Sequence, residues 1–399
     1  MRPGLIAVVA LVAAALGSGS TLLVGKAGGW LGEPEQRRAA TVVVERDSEP
    51  ASGTAAPLAG ATFEPTEVFA RTSPGVVTIY AVFAGGRTSQ GSGFVVSPAG
   101  DILTNSHVIT NVGETQSTQP VRGATSVYVV FADGDRIPAE IVGWDLFNDT
   151  GVIRVDPDEH ALVPLPLGDS DIVRVGEPIA AIGSPFGNEN SLSVGVVSAV
   201  ARSIPSLTSR YRVSNAIQVD APINHGNSGG PLLDARGRVI GVNAQIRSES
   251  GINEGVGFAI PINSARRSLE QLVSTGRVAY AYVGITTRDL TPALARKYRL
   301  AAERGALIED VVARGPAARA GIRGSTRQEL FNGEPVPVGG DVIVGLAGEA
   351  VKRADDVARI VTERLRPGQT VRARILRGGK GVPRTVELRL QERPVDPTR

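Results

Sequence analysis

Apolar residues along this chain fall in short runs. The segments 76–83, 94–96, 102–103, 127–131, 137–143 and 152–155 follow one another closely. After Pro164 a second group covers 178–182, 192–200, 216–219, 239–243 and 257–260. These runs are rich in β-branched residues and are divided by Gly, Pro and Asp turns, which is the pattern of strands. Ser97-Pro98-Ala99-Gly100-Asp101 reads as a hairpin turn between two of them. A helical period surfaces in this stretch only near 263–272. About a dozen strands over roughly 210 residues predict barrels or a sandwich, and the length suits two barrels better than one.

The two ends of the chain read differently. Arg2 precedes an uncharged run from Leu5 to Val24, which as a helix would span ~30 Å, enough to cross a bilayer. We favour an uncleaved signal anchor over 1–30, because Leu22-Leu23-Val24 resumes the apolar run after Gly17-Ser18-Gly19-Ser20. The alternative is a signal peptide cleaved near Ala13-Ala14-Ala15. Either reading puts the remainder outside the cytoplasm: at the cell membrane with a single pass, or secreted or periplasmic if cleaved. Residues 31–63 carry several prolines and no sustained period and read as a flexible linker. At the other end, 291–298 reads as a short helix, and 355–365 has Val357, Ile360, Val361 and Leu365 at helical spacing. Runs at 305–310, 341–346, 371–376 and 386–390 read as strands. The stretch 322–340 is longer than a minimal connection and reads as an extra hairpin, with no role assigned.

The chain has 399 residues with 48 Gly, 26 Pro and no Cys. Its length suits two to three domains. The missing cysteine excludes disulfides, thiol catalysis and Cys-based metal sites. The net charge of +2 hides an asymmetry. Residues 64–279 hold 15 basic and 21 acidic residues, whereas 280–399 hold 22 and 14. A nucleic-acid binder of uniform positive charge is thereby excluded, and the basic third can attract acidic partners or a peptide carboxylate.

Three clusters carry candidate chemistry. Gly226-Asn227-Ser228-Gly229-Gly230-Pro231-Leu232 suits a tight turn that exposes a serine hydroxyl and aims backbone N–H groups at a developing oxyanion. A serine needs a base, and the chain has three histidines. His107 follows a strand in Thr104-Asn105-Ser106-His107. His160 lies in a polar loop and reads as solvated. His225 stands too close along the chain to Ser228 to reach both its hydroxyl and an orienting carboxylate. Asp149 opens a strand and can fix the tautomer of the base, while Asp145 reads as a turn residue. The chain order His, Asp, Ser is that of the two-barrel serine proteases.

These stretches, with Val194-Gly195-Val196-Val197-Ser198-Ala199 and Gly257-Phe258-Ala259-Ile260-Pro261, resemble the HtrA/Deg family of trypsin-like serine proteases over roughly 64–395. The resemblance implies a mostly β fold. A two-barrel chymotrypsin-like protease domain over 64–276 is followed by an α+β PDZ domain over 279–393, behind the N-terminal membrane segment. It implies His107, Asp149 and Ser228 as the catalytic triad, and Gly226, Asn227 and Ser228 as the oxyanion hole. Peptide hydrolysis runs through an acyl-enzyme, with no metal or cofactor. The family commonly has Ala where this chain has Ser106, and Leu-Ala where it has Thr150-Gly151.

Enzymes of this type that cut after Arg or Lys carry an Asp six residues before the nucleophile, where this chain has Pro222, so cleavage after a small or medium aliphatic residue is expected. Asn243, Gln245 and Ile246 are expected along the substrate pocket. The family's carboxylate-binding loop maps onto Tyr282-Val283-Gly284-Ile285, implying a PDZ domain that takes up peptide C-termini as an added strand. The implied partners are unfolded or damaged polypeptides, peptide C-termini, the membrane, and further copies of the chain in a trimer, with no nucleic acid. The role implied is protein quality control or stress signalling. The other function class is a peptide-binding or chaperone protein whose protease site is silent. Gating through 111–126, 185–191 and 247–254 would join the two.

Overall fold

The computed structural model describes residues 63–112, 121–184, 190–209, 211–224, 226–244 and 256–394. The N-terminal apolar run and most of the linker lie outside them. No helix among the described residues is long and apolar enough to cross a membrane. From Gly60 to Arg399 the chain forms one compact unit.

The β-branched runs close into two six-stranded antiparallel barrels. The first is built from β1 (Val76–Val82), β2 (Thr88–Val95), β3 (Asp101–Thr104), β4 (Ser126–Val130), β5 (Arg136–Asp145) and β6 (Thr150–Arg154), in the order β1-β2-β3-β6-β5-β4. The second comprises β7 (Pro178–Gly183), β8 (Ser191–Pro205), β9 (Arg212–Val219), β10 (Pro231–Asp234), β11 (Val239–Ala244) and β12 (Gly257–Pro261), in the order β10-β11-β12-β9-β8-β7. Closure removes the open edges that a sheet of this size would otherwise expose. Ile79, Ile102, Val129 and Ile153 fill the first barrel, and Ile179, Val197, Ile217 and Leu232 fill the second.

Helix α1 (Pro65–Thr72) precedes the first barrel, and α2 (Ser106–Ile109) is one turn between β3 and β4. Helix α3 (Ile262–Thr275) leaves the second barrel and buries Ile262, Ala265, Ser268 and Leu272. It stops at Gly276, whose left-handed φ of +72° closes the last turn through its N–H to Leu272 O at 2.8 Å. That end packs on Gly143 of β5, where a Cβ would lie 2.8 Å from Gly276 O.

The last third is an α+β module. Its main sheet runs β14 (Ile285–Leu290), β15 (Gly305–Val311), β18 (Val342–Leu346), β20 (Thr370–Leu376), β21 (Arg384–Arg389), with β19 (Glu349–Ala350) paired to β18. Helix α4 (Pro292–Tyr298) and the turn α5 (Pro316–Arg319) connect its strands, and α6 (Ala354–Arg364) packs on β14 and β15. The expected extra hairpin is present as β16 (Arg327–Phe331) and β17 (Glu334–Val338). First and last strands, β13 (Ala281–Tyr282) and β22 (Gln391–Glu392), pair and bring both ends of the module to the barrels.

A buried polar cluster joins them there. Asp145, at the end of β5, accepts from Tyr280 Oη at 2.6 Å, Ser268 Oγ at 2.7 Å and the Phe147 N–H at 2.8 Å. Asn148 Nδ2 donates to Tyr280 Oη at 2.7 Å. The Arg393 guanidinium lies over the rings of Phe147, Tyr211 and Tyr280, each 5.2–5.3 Å from its carbon, and donates to Thr362 Oγ1 on α6. Burial pushes the Asp145 carboxyl up, and the donors around it oppose that push. Asp145 is therefore a cross-domain anchor, a larger role than the turn residue its sequence position suggests. Tyr280→Phe removes one donor to a buried carboxylate. It is expected to lower unfolding free energy by about 1–3 kcal/mol, read as a lower urea midpoint at unchanged slope; an unmoved midpoint would refute this role.

Candidate active site

The site lies where the barrels meet. His107 sits in the single turn α2 that ends β3, Asp149 in the turn leading into β6, and Ser228 in the turn before β10. Asp149 holds a left-handed φ of +49°, a conformation that Asp tolerates better than most residues. Its Oδ2 meets His107 Nδ1 at 2.7 Å, and its Oδ1 accepts from the His107 N–H at 3.0 Å and from Ser106 Oγ at 2.8 Å. Its carbonyl accepts from Asn105 Nδ2 at 2.8 Å. A carboxylate on Nδ1 leaves the proton-accepting position at Nε2. Burial by itself would push the imidazole down. The charge of Asp149 and its hydrogen bond outweigh burial and hold His107 above its ordinary value.

The serine turn is fixed from both barrels. Gly229 N–H donates to Asn243 O and Asn243 N–H to Gly230 O, both at 2.8 Å. Gly229 has φ +87°, and a Cβ there would lie 2.2 Å from Ser92 O and 2.4 Å from Thr104 Oγ1, so only glycine lets the turn settle on β2 and β3. Ser228 is buried, and its hydroxyl has no partner among the described residues. No acceptor among the described residues takes the N–H of Gly226 or of Ser228. Two backbone donors and one hydroxyl of this turn are thus without a partner among the described residues.

Ser92 is a site residue that the sequence reading passes over. Its N–H donates to Ser228 O at 2.8 Å and its Oγ to Gly226 O at 2.5 Å, while Ser184 N–H donates to that same Oγ at 2.9 Å. One buried serine of the first barrel therefore holds the turn of the second. The signal was Gly91 and Gly93 inside a strand, since glycine there marks a close approach of backbone. A Cβ on Gly91 would lie 2.6 Å from Val108 Cγ2 and 3.1 Å from Ser228 O.

Other expectations need correction. Asn243 is fully buried: its Nδ2 donates to Pro231 O at 3.1 Å and Ile182 O at 3.4 Å, its backbone braces the serine turn, and its Oδ1 has no partner among the described residues. Gln245, Ile246 and His225 lie outside the described residues. His160 is not free in solvent: its ring stacks on Phe131 at 3.8 Å and meets Asp133 Oδ2 at 3.0 Å. Ser106, where an alanine is common in the family it resembles, bonds the Asp149 carboxylate. Gly151 fits beneath Ile109, whose Cδ1 would lie 2.7 Å from a Cβ.

In the last third, Tyr282, Val283, Gly284 and Ile285 join β13 to β14. Gly284 has φ +76°, its carbonyl accepts from Val312 N–H at 2.9 Å, and Val283 O accepts from Ala317 N–H at 3.0 Å. Strand β14 is the edge of its sheet.

Comparison with known proteins agrees with the fold of two barrels followed by an α+β module. Residues 91–242 match the trypsin-like peptidase domain family and residues 281–390 the PDZ domain family. The chain is 38% identical over 294 residues to a probable periplasmic serine endoprotease DegP-like of Halomonas elongata, covering 74% of this chain and 55% of that protein. It is 37% identical over 289 residues to Protease Do-like 1, chloroplastic, of Arabidopsis thaliana, covering 72% and 61%. The chain thus spans little more than half the length of these curated relatives. A solved structure, the HtrA-type protease AlgW with tripeptide, superposes with a TM-score of 0.66 at 32% identity, covering 83% of this chain and 98% of that one.

The raised proton affinity of His107 has a consequence for stability. A folded value above 6.5 means that the stability gained from the charged imidazole is complete below pH 6.5 and is lost as pH rises through the folded value. His107→Gln is expected to abolish that component of the pH dependence in urea unfolding series at roughly pH 5 to 9. Parallel curves for the two proteins would contradict it.

Proposed function

The chain belongs to the HtrA family of serine proteases and carries one PDZ domain, and we propose that it is a serine endopeptidase acting outside the cytoplasm on unfolded or damaged polypeptides. The observation that carries this reading is the 2.7 Å contact of Asp149 Oδ2 with His107 Nδ1 in the cleft that holds the free Ser228 hydroxyl. In the proposed reaction Ser228 Oγ attacks the scissile carbonyl while His107 Nε2 takes its proton. Asp149 holds the imidazole tautomer and balances the imidazolium. The developing oxyanion is met by the N–H groups of Gly226 and Ser228, with Asn227 spacing them. His107 then hands its proton to the leaving amine, and water resolves the acyl-enzyme by the same steps. None of these steps requires a metal or cofactor.

Pro222, six residues before Ser228, offers no charge for a cationic side chain, which supports cleavage after small or medium aliphatic residues. In the PDZ domain a peptide C-terminus adds beside edge strand β14, its carboxylate held by backbone N–H groups of Tyr282-Val283-Gly284-Ile285. We keep the N-terminal run as a membrane tether, and a homo-oligomer as the state the family implies. A role in quality control or stress signalling follows from this substrate class.

A second reading has an observation of its own. Ser228 Oγ makes no hydrogen bond to His107 among the described residues, which fits a site at rest that a peptide on the PDZ domain or assembly completes. Casein hydrolysis should then rise when a PDZ-binding peptide is added; equal rates would remove this reading and leave the constitutive enzyme.

Fluorophosphonate labelling of the intact protein and of Ser228→Ala tests the main proposal. Labelling is expected in the first and not in the second, with hydrolysis reduced on the order of 10⁴-fold or more. An unlabelled intact protein would overturn it, and a labelled variant would move the nucleophile elsewhere.

A further inference from the structure

Three consecutive residues grip Asp149. Asn105 Nδ2 holds its carbonyl, Ser106 Oγ and the His107 N–H hold Oδ1, and His107 Nδ1 meets Oδ2. The two His107 contacts come from the proposed base itself, and the Asn105 contact reaches only the backbone. Among the described residues Ser106 is the one additional side chain on the carboxylate. It is wholly buried, and its carboxylate contact is 2.8 Å long. An ionised carboxylate offers only acceptors, so the Ser106 hydroxyl donates to it.

We propose that Ser106 is a positioning residue: its hydroxyl fixes the rotation of the Asp149 carboxylate, draws off part of its negative charge, and so tunes the base His107. The proposal rests on the reading of His107 and Asp149 as base and orienting acid. A donor on Oδ1 stabilises the anion and weakens the field that Oδ2 exerts on the imidazole. His107 then releases its proton at a lower pH than it would beside an unassisted Asp149. More of the enzyme carries a neutral, proton-accepting imidazole in mildly acidic surroundings.

Other charges among the described residues do not supply this effect. The elements packed on α2 are β1, β2, β5 and β6. Strands β1 and β2 carry no charged residue. On β5, Asp145 is turned to Tyr280 and Ser268, Arg136 lies over Tyr80 and Tyr128, and Glu140 is exposed. On β6, Arg154 pairs with Asp101. Asp149 is the charge that acts on His107, and Ser106 is the side chain that modulates it.

The test is Ser106→Ala, which deletes one oxygen and leaves the backbone and the side-chain methylene carbon. The His107 titration is followed by NMR of ring-labelled histidine, with His107→Gln assigning the signal. The midpoint is expected to rise by about half a pH unit, a threefold gain in proton affinity. The acidic limb of kcat/KM should move up by the same amount, with KM on the plateau unchanged. In an Asp149→Asn background, Ser106→Ala should shift nothing, because the charge it modulates is gone. Ser106→Cys, a weaker donor, should fall between Ser and Ala, which keeps the series decisive if the alanine variant folds poorly. An unmoved or lowered midpoint, or an equal shift without the Asp149 charge, would overturn the proposal. The NMR midpoint does not depend on turnover. An inactive protein would defeat the endopeptidase reading while leaving the role of Ser106 to be decided by its own measurement.

Discussion

A buried carboxylate cannot be left short of donors, and this constraint organises the molecule. Asp145 and Asp149 stand at the two ends of the turn between β5 and β6, and both are buried. Each ionised oxygen taken out of water must regain its hydrogen bonds from protein groups. Asp145 collects Tyr280, Ser268 and the turn's own N–H groups, whereas Asp149 collects Ser106 and His107. The same short turn is thus pinned at one end to α3 and to Tyr280, between α3 and β13, and at the other to the histidine turn α2. Asn148 adds a direct link between them, through its donation to Tyr280 Oη.

This arrangement explains why the two barrels and the PDZ domain form one unit. The rings of Tyr280, Tyr211 and Phe147 surround the guanidinium of Arg393, which follows the module's last strand. Burial pushes that guanidinium down, and the aromatic faces and the nearby Asp145 charge recover part of the cost. Removing one partner from such a cluster strands the others, so cooperativity runs across the domain boundary. Tyr211 Oη donates to Pro394 O at 2.9 Å and extends the contact to the second barrel. Through Tyr280 and Asn148 the contacts at the ends of the PDZ domain thus reach the same turn that carries Asp149.

Much of this was legible in the sequence, for a physical reason. Strands of closed barrels read as short β-branched runs, and observed strands such as Val76–Val82, Pro178–Gly183 and Val239–Ala244 sit where those runs lie. The polar start of β2, Thr88-Ser89-Gln90, carries no such signal and enters a strand only because β1 pairs with it. Motif spacing pointed to His107, Asp149 and Ser228, because chemistry restricts which residues can stand there. The supports were less legible, with only the flanking Gly91 and Gly93 hinting at Ser92. Ser92, Ser106 and Tyr280 are ordinary residues locally, and their partners lie 134, 43 and 135 positions away. The bracing contacts of Asn243 Nδ2 to Pro231 and Ile182 were equally unreadable, since their partners lie 12 and 61 positions away.

The departures from the resembled family's pattern lie where α2 meets the start of β6. Gly151 lacks a side chain where Ile109 Cδ1 would clash with one, so the larger residue on α2 takes the volume that the smaller one on β6 leaves. Ser106, two residues on from Thr104, adds a hydroxyl where its neighbours leave an acceptor position open on Asp149. Each change touches the joint between α2 and the start of β6, where histidine and carboxylate must meet within a few tenths of an ångström. In so close-packed a joint a change of even one methylene group is felt. The residues that differ from the family here are thus in direct contact with the Asp149 carboxylate or with α2, which carries His107.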